Sequence, residues 1–221
     1  MESYWPDLIY NVRRLRSDTS RFSGPAGQGT ACRLPPPHLK LFERLGRGKS
    51  GEVLNAAVSM PQSRIKHNVV AKLFLHTQLD RMYNEIHLHQ NRLVGLGKKA
   101  IPRVYGAFVL RSSRTAVGTM GKWGIIVMQK CGYADYGSTV SVMHVSIHLS
   151  FTITIREAAY QCLWLIHQAG VEHCNFHLNN ILLFSGGVRV IDFSEAIEHD
   201  CSGPDCYELC RARDLLKLPH N

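Results

Sequence analysis

A polar loop at residues 173–180 carries the side chains most capable of chemistry. It holds two histidines and three asparagines, and the apolar run 181–183 follows it. Twelve residues past Asn180, at the end of another apolar run, lies Asp192. A polar loop followed by an acidic residue at a strand end is typical of a site that holds a metal ion and a nucleotide for phosphoryl transfer. At position 175, where such a loop needs a carboxylate, the chain has an amide, which is a poor proton acceptor.

The composition sets outer limits on the protein. A length of 221 residues with 45% hydrophobic side chains fits one domain, or one domain with two lobes. The net charge of +9 favours anionic partners, but lysines and arginines are spread along the chain, so a solvated basic surface is expected and nucleic acid is not. Seven cysteines without a compact framework, and no apolar N-terminal run, predict reduced thiols in the cytoplasm or nucleus. No stretch is apolar enough for a membrane span.

Three strands and a glycine-rich stretch are predicted ahead of the loop. Apolar residues at 41–45 and 54–58 flank the glycine-rich stretch 46–53, which reads as strand, loop and strand. Glycines let a backbone bend tightly and approach phosphate oxygens, although a plain hairpin turn is the alternative. The third strand, 68–74, contains Lys72 inside an apolar run, where a lysine must reach water or meet an anion.

A helix and two more strands complete the first lobe. The helix at 79–93 carries Glu85, which either faces solvent or pairs with Lys72. Strands are predicted at 104–110 and 123–128, with a hairpin between them.

The rest of the chain is less regular. Helices are predicted at 155–168, ended by Gly170, and at 205–216. Residues 133–153 have conflicting propensities and stay unassigned. At the N-terminus, 1–16 is predicted as a short helix and 17–37 as a Ser/Gly/Pro-rich linker.

The tail holds four soft metal ligands within twelve residues: His199, Cys201, Cys206 and Cys210. Zinc is one interpretation of this group. No CxxC pair is present, so packing of the cysteines as small apolar residues is favoured.

Taken in order, five motifs resemble those of the protein-kinase-like superfamily. They are Gly46-x-Gly48-x-x-Gly51-x-Val53, Val70-Ala71-Lys72 with Glu85, the segment 165–173, Asn180 five residues after position 175, and Ile191-Asp192-Phe193. The similarity covers roughly 39–200 and is closest in character to the short, divergent kinase-like domains abundant in fungi. It implies an α+β, two-lobed protein-kinase-like fold: a five-stranded antiparallel N-lobe sheet with one helix, and a truncated, mainly helical C-lobe. The implied divisions are an extension and linker at 1–38, an N-lobe at 39–130 and a C-lobe at 131–221.

The resemblance also implies roles for individual residues. Lys72 would hold the ATP phosphates with the support of Glu85, and Asn180 and Asp192 would bind Mg²⁺. Met128 would border the adenine pocket, with ordinary core packing as the alternative. The implied nucleotide-binding set is Gly46, Gly48, Gly51, Val53, Ala71, Lys72, Glu85 and Met128.

Three departures from the family pattern bear on activity. Asn175 stands at the position of the catalytic aspartate, so proton acceptance is lost although a hydroxyl could still be oriented. His177 replaces the usual catalytic-loop lysine and would either contact a phosphate or serve a structural role. Only 27 residues follow Ser194, without an Ala-Pro-Glu segment, which predicts a missing or reduced platform for a peptide substrate.

Three functions follow from this pattern. The first is phosphoryl transfer from Mg·ATP to Ser or Thr of an unknown protein, weak or inactive because of Asn175, with a small-molecule phosphotransferase as its variant. The second is a pseudokinase that serves as a scaffold or regulatory binding module for an unknown partner. The third is an inert fragment of a longer product.

Overall fold

The computed structural model describes residues 38–59, 66–97, 99–111, 122–132, 153–184 and 187–219. The predicted N-terminal helix and linker, the hairpin between the fourth and fifth strands, and the unassigned stretch 133–152 lie outside these residues.

The first part of the chain is a five-stranded antiparallel sheet. Its strands are β1 (His38–Gly48), β2 (Gly51–Ser59), β3 (Lys66–Phe74), β4 (Val104–Arg111) and β5 (Lys122–Gln129). They lie in the order β1-β2-β3-β5-β4, and every neighbouring pair is antiparallel. All five predicted strands are present. The predicted glycine loop at 46–53 is shorter than expected, because Gly46, Arg47 and Gly48 pair with β2 and leave only residues 49 and 50 as the turn.

The two faces of this sheet bury different apolar clusters. Leu54, Ala71 and Val127 belong to one cluster, and Phe74 and Ile126 belong to the other. Because successive side chains of a strand point to opposite faces, neighbours such as Val127 and Ile126 separate in this way.

One helix, α1 (Leu79–Asn91), covers the face that carries Phe74 and Ile126. Met82 of α1 is fully buried against that cluster. At Gly124 of β5 an added Cβ would lie 2.3 Å from Met82 Sδ and 2.9 Å from Leu79 Cδ2. The glycine therefore lets the helix approach the strand closely, and this approach sets the position of Glu85 relative to β3.

In the second part of the chain, the first described element is helix α2 (Ile153–Gln168). Four short strands follow: β6 (Val171–Glu172), β7 (Ile181–Phe184), β8 (Gly187–Val190) and β9 (Ile197–Glu198). β7 pairs with β8 and β6 pairs with β9, both antiparallel. Helix α3 (Tyr207–Leu216) follows and begins two residues later than predicted, because 203–205 form a single 3-10 turn.

The largest apolar cluster joins the two parts. It contains Leu88 and Leu93 from the end of α1 and its continuation, Leu163 and Ile166 from α2, and Leu209 from α3. A backbone hydrogen bond of 2.8 Å from the N–H of Val190 to the carbonyl of Ala100 crosses the same boundary. The loop 173–180 and Asp192 are therefore held against α1 and the sheet.

Among the residues that the structure describes, no helix combines the length and the apolar composition needed to cross a bilayer.

Candidate functional site

The glycine-rich hairpin between β1 and β2 forms one wall of the site. Gly51 has φ of +147°, and an added Cβ would lie only 1.9 Å from the carbonyl oxygen of Leu73. A side chain at this position would collide with the backbone of β3, so glycine is required there. Gly48 differs, because an added Cβ would meet nothing within 4 Å. Gly46 pairs with Val53 in the ladder, and Val53 in turn lies opposite Lys72 of β3.

Lys72 lies at the centre of the site and is only 6% exposed. Its Nζ lies 2.7 Å from Glu85 Oε2 on α1 and 2.5 Å from Asp192 Oδ1 beyond β8. One ammonium group thus connects the sheet, the helix and the second part of the chain. The structure brings together the lysine and the glutamate that the sequence paired, and it adds Asp192 to them.

At the centre of the site, the single ammonium group of Lys72 faces two carboxyl groups, those of Glu85 and Asp192. Burial alone would favour a neutral lysine, but Glu85 and Asp192 outweigh it and raise the pKa of Lys72. Burial also acts against the charge of Asp192, yet Lys72 and two serine hydroxyls lower the pKa of this carboxyl to about 2. Burial raises the pKa of Glu85, and Lys72 only partly offsets this effect. Because one cation faces two carboxyl groups, the electrostatics of the site would favour a further positive charge.

Asp192 has a strained backbone and a crowded side-chain oxygen. Its φ of +69° is in the left-handed region, which is uncommon for a residue other than glycine and is often found at functional sites. Its Oδ1 accepts hydrogen bonds from Ser194 Oγ at 2.8 Å and Ser50 Oγ at 3.2 Å, besides its contact with Lys72. Neither serine was among the predicted site residues. In the sequence only their positions could have indicated a role: Ser50 lies inside the glycine hairpin, and Ser194 directly follows Asp192-Phe193.

His173 anchors the polar loop. Its ring is fully buried, its Nδ1 accepts a hydrogen bond of 3.3 Å from the N–H of Asn175, and its Nε2 lies 3.0 Å from the carbonyl oxygen of Ile191. A nitrogen that accepts carries no proton, so Nε2 must carry it and donate to Ile191. Burial lowers the pKa of His173, in agreement with a neutral ring. The N–H of His173 donates to Glu208 Oε2 of α3 at 2.8 Å, a contact across 35 residues that sequence patterns did not indicate.

Asn180 lies opposite Ile191, the residue directly before Asp192. The N–H of Ile191 donates to the carbonyl of Asn180 at 2.9 Å, which extends the pairing of β7 and β8 by one step. The buried side chain of Asn180 donates through Nδ2 to the carbonyl of Asn175 at 2.9 Å and lies 3.2 Å from His177 Nε2. Since its nitrogen is used in this way, the side-chain oxygen is the atom that remains for a cation.

Two of the predicted nucleotide-binding residues, Ala71 and Met128, pack in the apolar clusters of the sheet. Ala71 is completely buried in the cluster with Leu54 and Val127, on the sheet face opposite to Lys72, and the structure does not bring it to the site. Val70, two residues before Lys72, shares its face instead. Met128 packs against the cluster beneath α1, so its core-packing alternative describes its main contacts.

The donor set fits a magnesium nucleotide. The carboxylate of Asp192 and the amide oxygen of Asn180 are hard oxygen ligands of the kind that Mg²⁺ takes. The Lys72 ammonium group is a cation of the kind that binds phosphate in proteins, and the hairpin at Gly48–Gly51 provides backbone close to it.

A cavity of about 300 Å³ borders the polar loop. Its lining includes Asn175 and His177 of the loop and Tyr207 and Arg211 of α3. The guanidinium group of Arg211 lies over the ring of Tyr207, 5.7 Å from its centre.

The fold is similar to that of protein kinases. The structure described as that of vaccinia related kinase 3 matches 81% of this chain with a TM-score of 0.53 and 19% sequence identity. The chain spans about half the length of that kinase, since the match covers 54% of it. No family model matches the sequence, and no curated protein matches it either. The likeness shows a protein-kinase-like fold.

Proposed function

We propose that this chain binds Mg·ATP between the glycine hairpin and the polar loop, and that it transfers the γ-phosphoryl group slowly or not at all. The observation that carries this proposal is the buried Lys72, shared between Glu85 and Asp192. Burial of one ammonium group between two carboxylates carries a desolvation penalty. A role in neutralising the charge of bound phosphates would account for an arrangement with this penalty.

Each residue then has a defined task. Lys72 binds the phosphates and is oriented by Glu85, while Asp192 and Asn180 hold the metal ion. Bound Mg²⁺ would supply neutralisation of phosphate charge. His173 fixes the backbone of the loop through its contacts with Asn175 and Ile191.

The side chain at position 175 limits the chemistry. Asn175 can orient the hydroxyl of a protein serine or threonine, but it cannot accept the proton that the hydroxyl loses. Phosphoryl transfer relies mainly on positioning and charge, so a slow reaction remains compatible with an amide there. The resulting domain is a weak protein Ser/Thr phosphotransferase, or a pseudokinase that acts on a protein partner through its nucleotide-bound conformation.

Thermal unfolding with Mg·ATP tests the proposal. Ligand that binds only the folded state raises the melting temperature by mass action. We expect a rise for the wild type and none for Lys72→Ala. Lys66→Ala is the matched control, because Lys66 is an exposed lysine on the same strand, and it should keep the rise. A wild type without a rise at millimolar Mg·ATP would refute nucleotide binding.

A second candidate, transfer to a small molecule, is favoured by the cavity beside the polar loop. About 300 Å³ is the lower end of the volume of small-molecule sites. Its lining combines Arg211, a cation, with Asn175 and His177 and therefore suits an anionic acceptor that carries a hydroxyl group.

ATP labelled in its γ-phosphate and incubated with a cell extract distinguishes this candidate from the first. Label in low-molecular-weight products, reduced by Arg211→Ala, supports the small-molecule acceptor. Label that appears only in protein contradicts it.

A further inference from the structure

Four metal-ligating side chains meet beneath the polar loop, away from the nucleotide site. They are His167 at the end of α2, His199 after β9, Cys201, and Cys206 directly before α3. One ligand atom from each lies within 4.8 Å of the ligand atoms of all the others. Cys210, which the sequence had grouped with the other tail residues, is not among them, since its Sγ contacts the carbonyl of Pro204. His167 takes its place and comes from a helix more than thirty residues earlier.

We propose that His167, His199, Cys201 and Cys206 form a structural zinc site. Two thiolates and two imidazoles are a ligand set that zinc takes in closed, tetrahedral structural sites. Zinc displaces the two thiol protons, which go to solvent, and each imidazole binds through a nitrogen that carries no proton.

The distances within the cluster fit this geometry. Zinc bonds of about 2.3 Å to sulfur and about 2.0 Å to nitrogen place a nitrogen and a sulfur ligand about 3.5 Å apart in a tetrahedron. His167 Nδ1 lies 3.5 Å from Cys206 Sγ, and His199 Nε2 lies 3.3 Å from the same sulfur. The two rings meet edge to face, 5.2 Å between centres, so they approach Cys206 from different directions. Small adjustments of side chains are enough to receive the ion.

The outer partners of the two histidines give an independent indication. His167 directs Nδ1 to Cys206 and Nε2 to Glu208 Oε2, at 2.7 Å. His199 directs Nε2 to Cys206 and Nδ1 to Glu172 Oε2, at 3.6 Å. Glu208 favours a proton on Nε2 of His167, which leaves Nδ1, the nitrogen that faces Cys206, free to bind a metal. Glu172 lies at ion-pair distance on the corresponding side of His199. Histidine ligands of zinc commonly have this carboxylate arrangement, and packing of small apolar side chains does not require it.

The proposed ion would stabilise the polar loop. Glu208, which orients His167, also accepts the hydrogen bond from the N–H of His173. Glu172, which faces His199, is the residue before His173. Zinc would therefore connect α2, the segment after β9 and the start of α3 at the base of the loop that carries Asn175 and Asn180.

Metal analysis of the purified full chain, after gel filtration without chelator, tests the site. We expect about one zinc per chain in the wild type and in Cys210→Ser. We expect much less zinc in Cys206→Ser and His199→Ala. Cys210→Ser is the matched control, because it removes a neighbouring thiol outside the cluster. A wild type that contains no zinc and takes up none from added Zn²⁺ overturns the proposal, as does equal zinc in Cys206→Ser and the wild type.

Cobalt substitution covers the case in which a variant fails to fold. Co²⁺ added to the metal-free wild type should give the intense near-ultraviolet absorption of cobalt–thiolate bonds, and Cys201→Ser, at a partly exposed position, should weaken it. The absence of thiolate absorption in the wild type contradicts the site. A disulfide between Cys201 and Cys206, found by mass spectrometry of the freshly purified protein without reductant, would also contradict it.

Discussion

Within the described part of the chain, the hydrogen bonds of Asn175 in the polar loop are made by its backbone and not by its side chain. Its N–H donates to His173 Nδ1 and its carbonyl accepts from Asn180 Nδ2. The loop conformation therefore depends little on whether the side chain ends in an amide or a carboxylate. This separation makes position 175 suitable for a test of chemistry without a change of structure.

We expect Asn175→Asp to increase phosphoryl transfer at least tenfold over the wild type, because a positioned proton acceptor contributes about 10²–10⁴ in rate. The measurement is incorporation of label from γ-labelled ATP, with Asp192→Asn in the same background as the inactive control. A wild type that already equals Asn175→Asp would show that the amide is no defect. If Asn175→Asp stays at the background level of the Asp192→Asn control, the carboxylate was not the missing element.

Gly51 and Gly48 have similar places in the motif but different surroundings. Gly51→Ala puts a Cβ onto the Leu73 carbonyl in a backbone conformation that side chains rarely adopt, so we expect a loss of about 2 kcal/mol or more in the free energy of unfolding. Gly48→Ala meets nothing and should change stability by less than about 0.5 kcal/mol. Urea unfolding compares the two variants. Equal losses would mean that the hairpin does not approach β3 as described.

Among the elements, α1 connects the sheet to the segment that carries Asp192. Glu85 pairs with Lys72, Asn84 donates to the carbonyl of Ala196 at 2.8 Å, and the ring of His89 packs edge-on against Phe193 at 5.3 Å. The helix thus contacts both halves of the site along one side. Any movement of α1 would change the position of Glu85 and of the 192–196 segment together.

His89 makes this contact sensitive to pH. Burial first, and the charge of Lys72 second, lower the pKa of His89 to about 4 from 6.5. Between these two values the unfolded chain binds a proton that the folded chain does not, so acidification favours unfolding. Stability contributed by the neutral ring is complete above pH 6.5 and is lost as the pH falls towards 4. The loss is on the order of 3–4 kcal/mol for the full shift.

We expect His89→Gln to lose less stability than the wild type between pH 6.5 and pH 4.5, measured by urea unfolding at each pH. His87→Gln is the control, because the His87 ring on the same helix is mostly exposed, and it should keep the slope of the wild type. Identical slopes in all three proteins would contradict a half-buried, neutral His89.

At the scale of the whole molecule, local sequence patterns predicted most of the first part of the chain. Alternation and apolar runs located the five strands. The residues alone left Glu85 either facing solvent or paired with Lys72, and the resemblance to kinases implied the pair. Ala71 shows the limit of motif matching. The motif places it beside the lysine in sequence, but strand alternation turns it to the opposite face.

Contacts between elements that are distant along the chain could not be predicted from local sequence patterns. Glu208 lies 35 residues after His173 and 41 after His167, and only the packing of α3 against α2 brings them together. The same packing replaces Cys210 by His167 in the cluster of soft ligands. Spacing along the chain could not reveal either arrangement, because both depend on how the elements after α2 fold back on it.

The central proposed property of this chain is the binding of a magnesium nucleotide by the buried cluster around Lys72. Calorimetric titration of the full chain with ATP in the presence of Mg²⁺ tests this claim directly, with an identical titration in EDTA to remove the metal. We predict saturable binding near one site per chain for the wild type and for Lys66→Ala, much weaker binding in EDTA, and none for Lys72→Ala. Absence of binding by the wild type, or equal binding by Lys72→Ala, would contradict it.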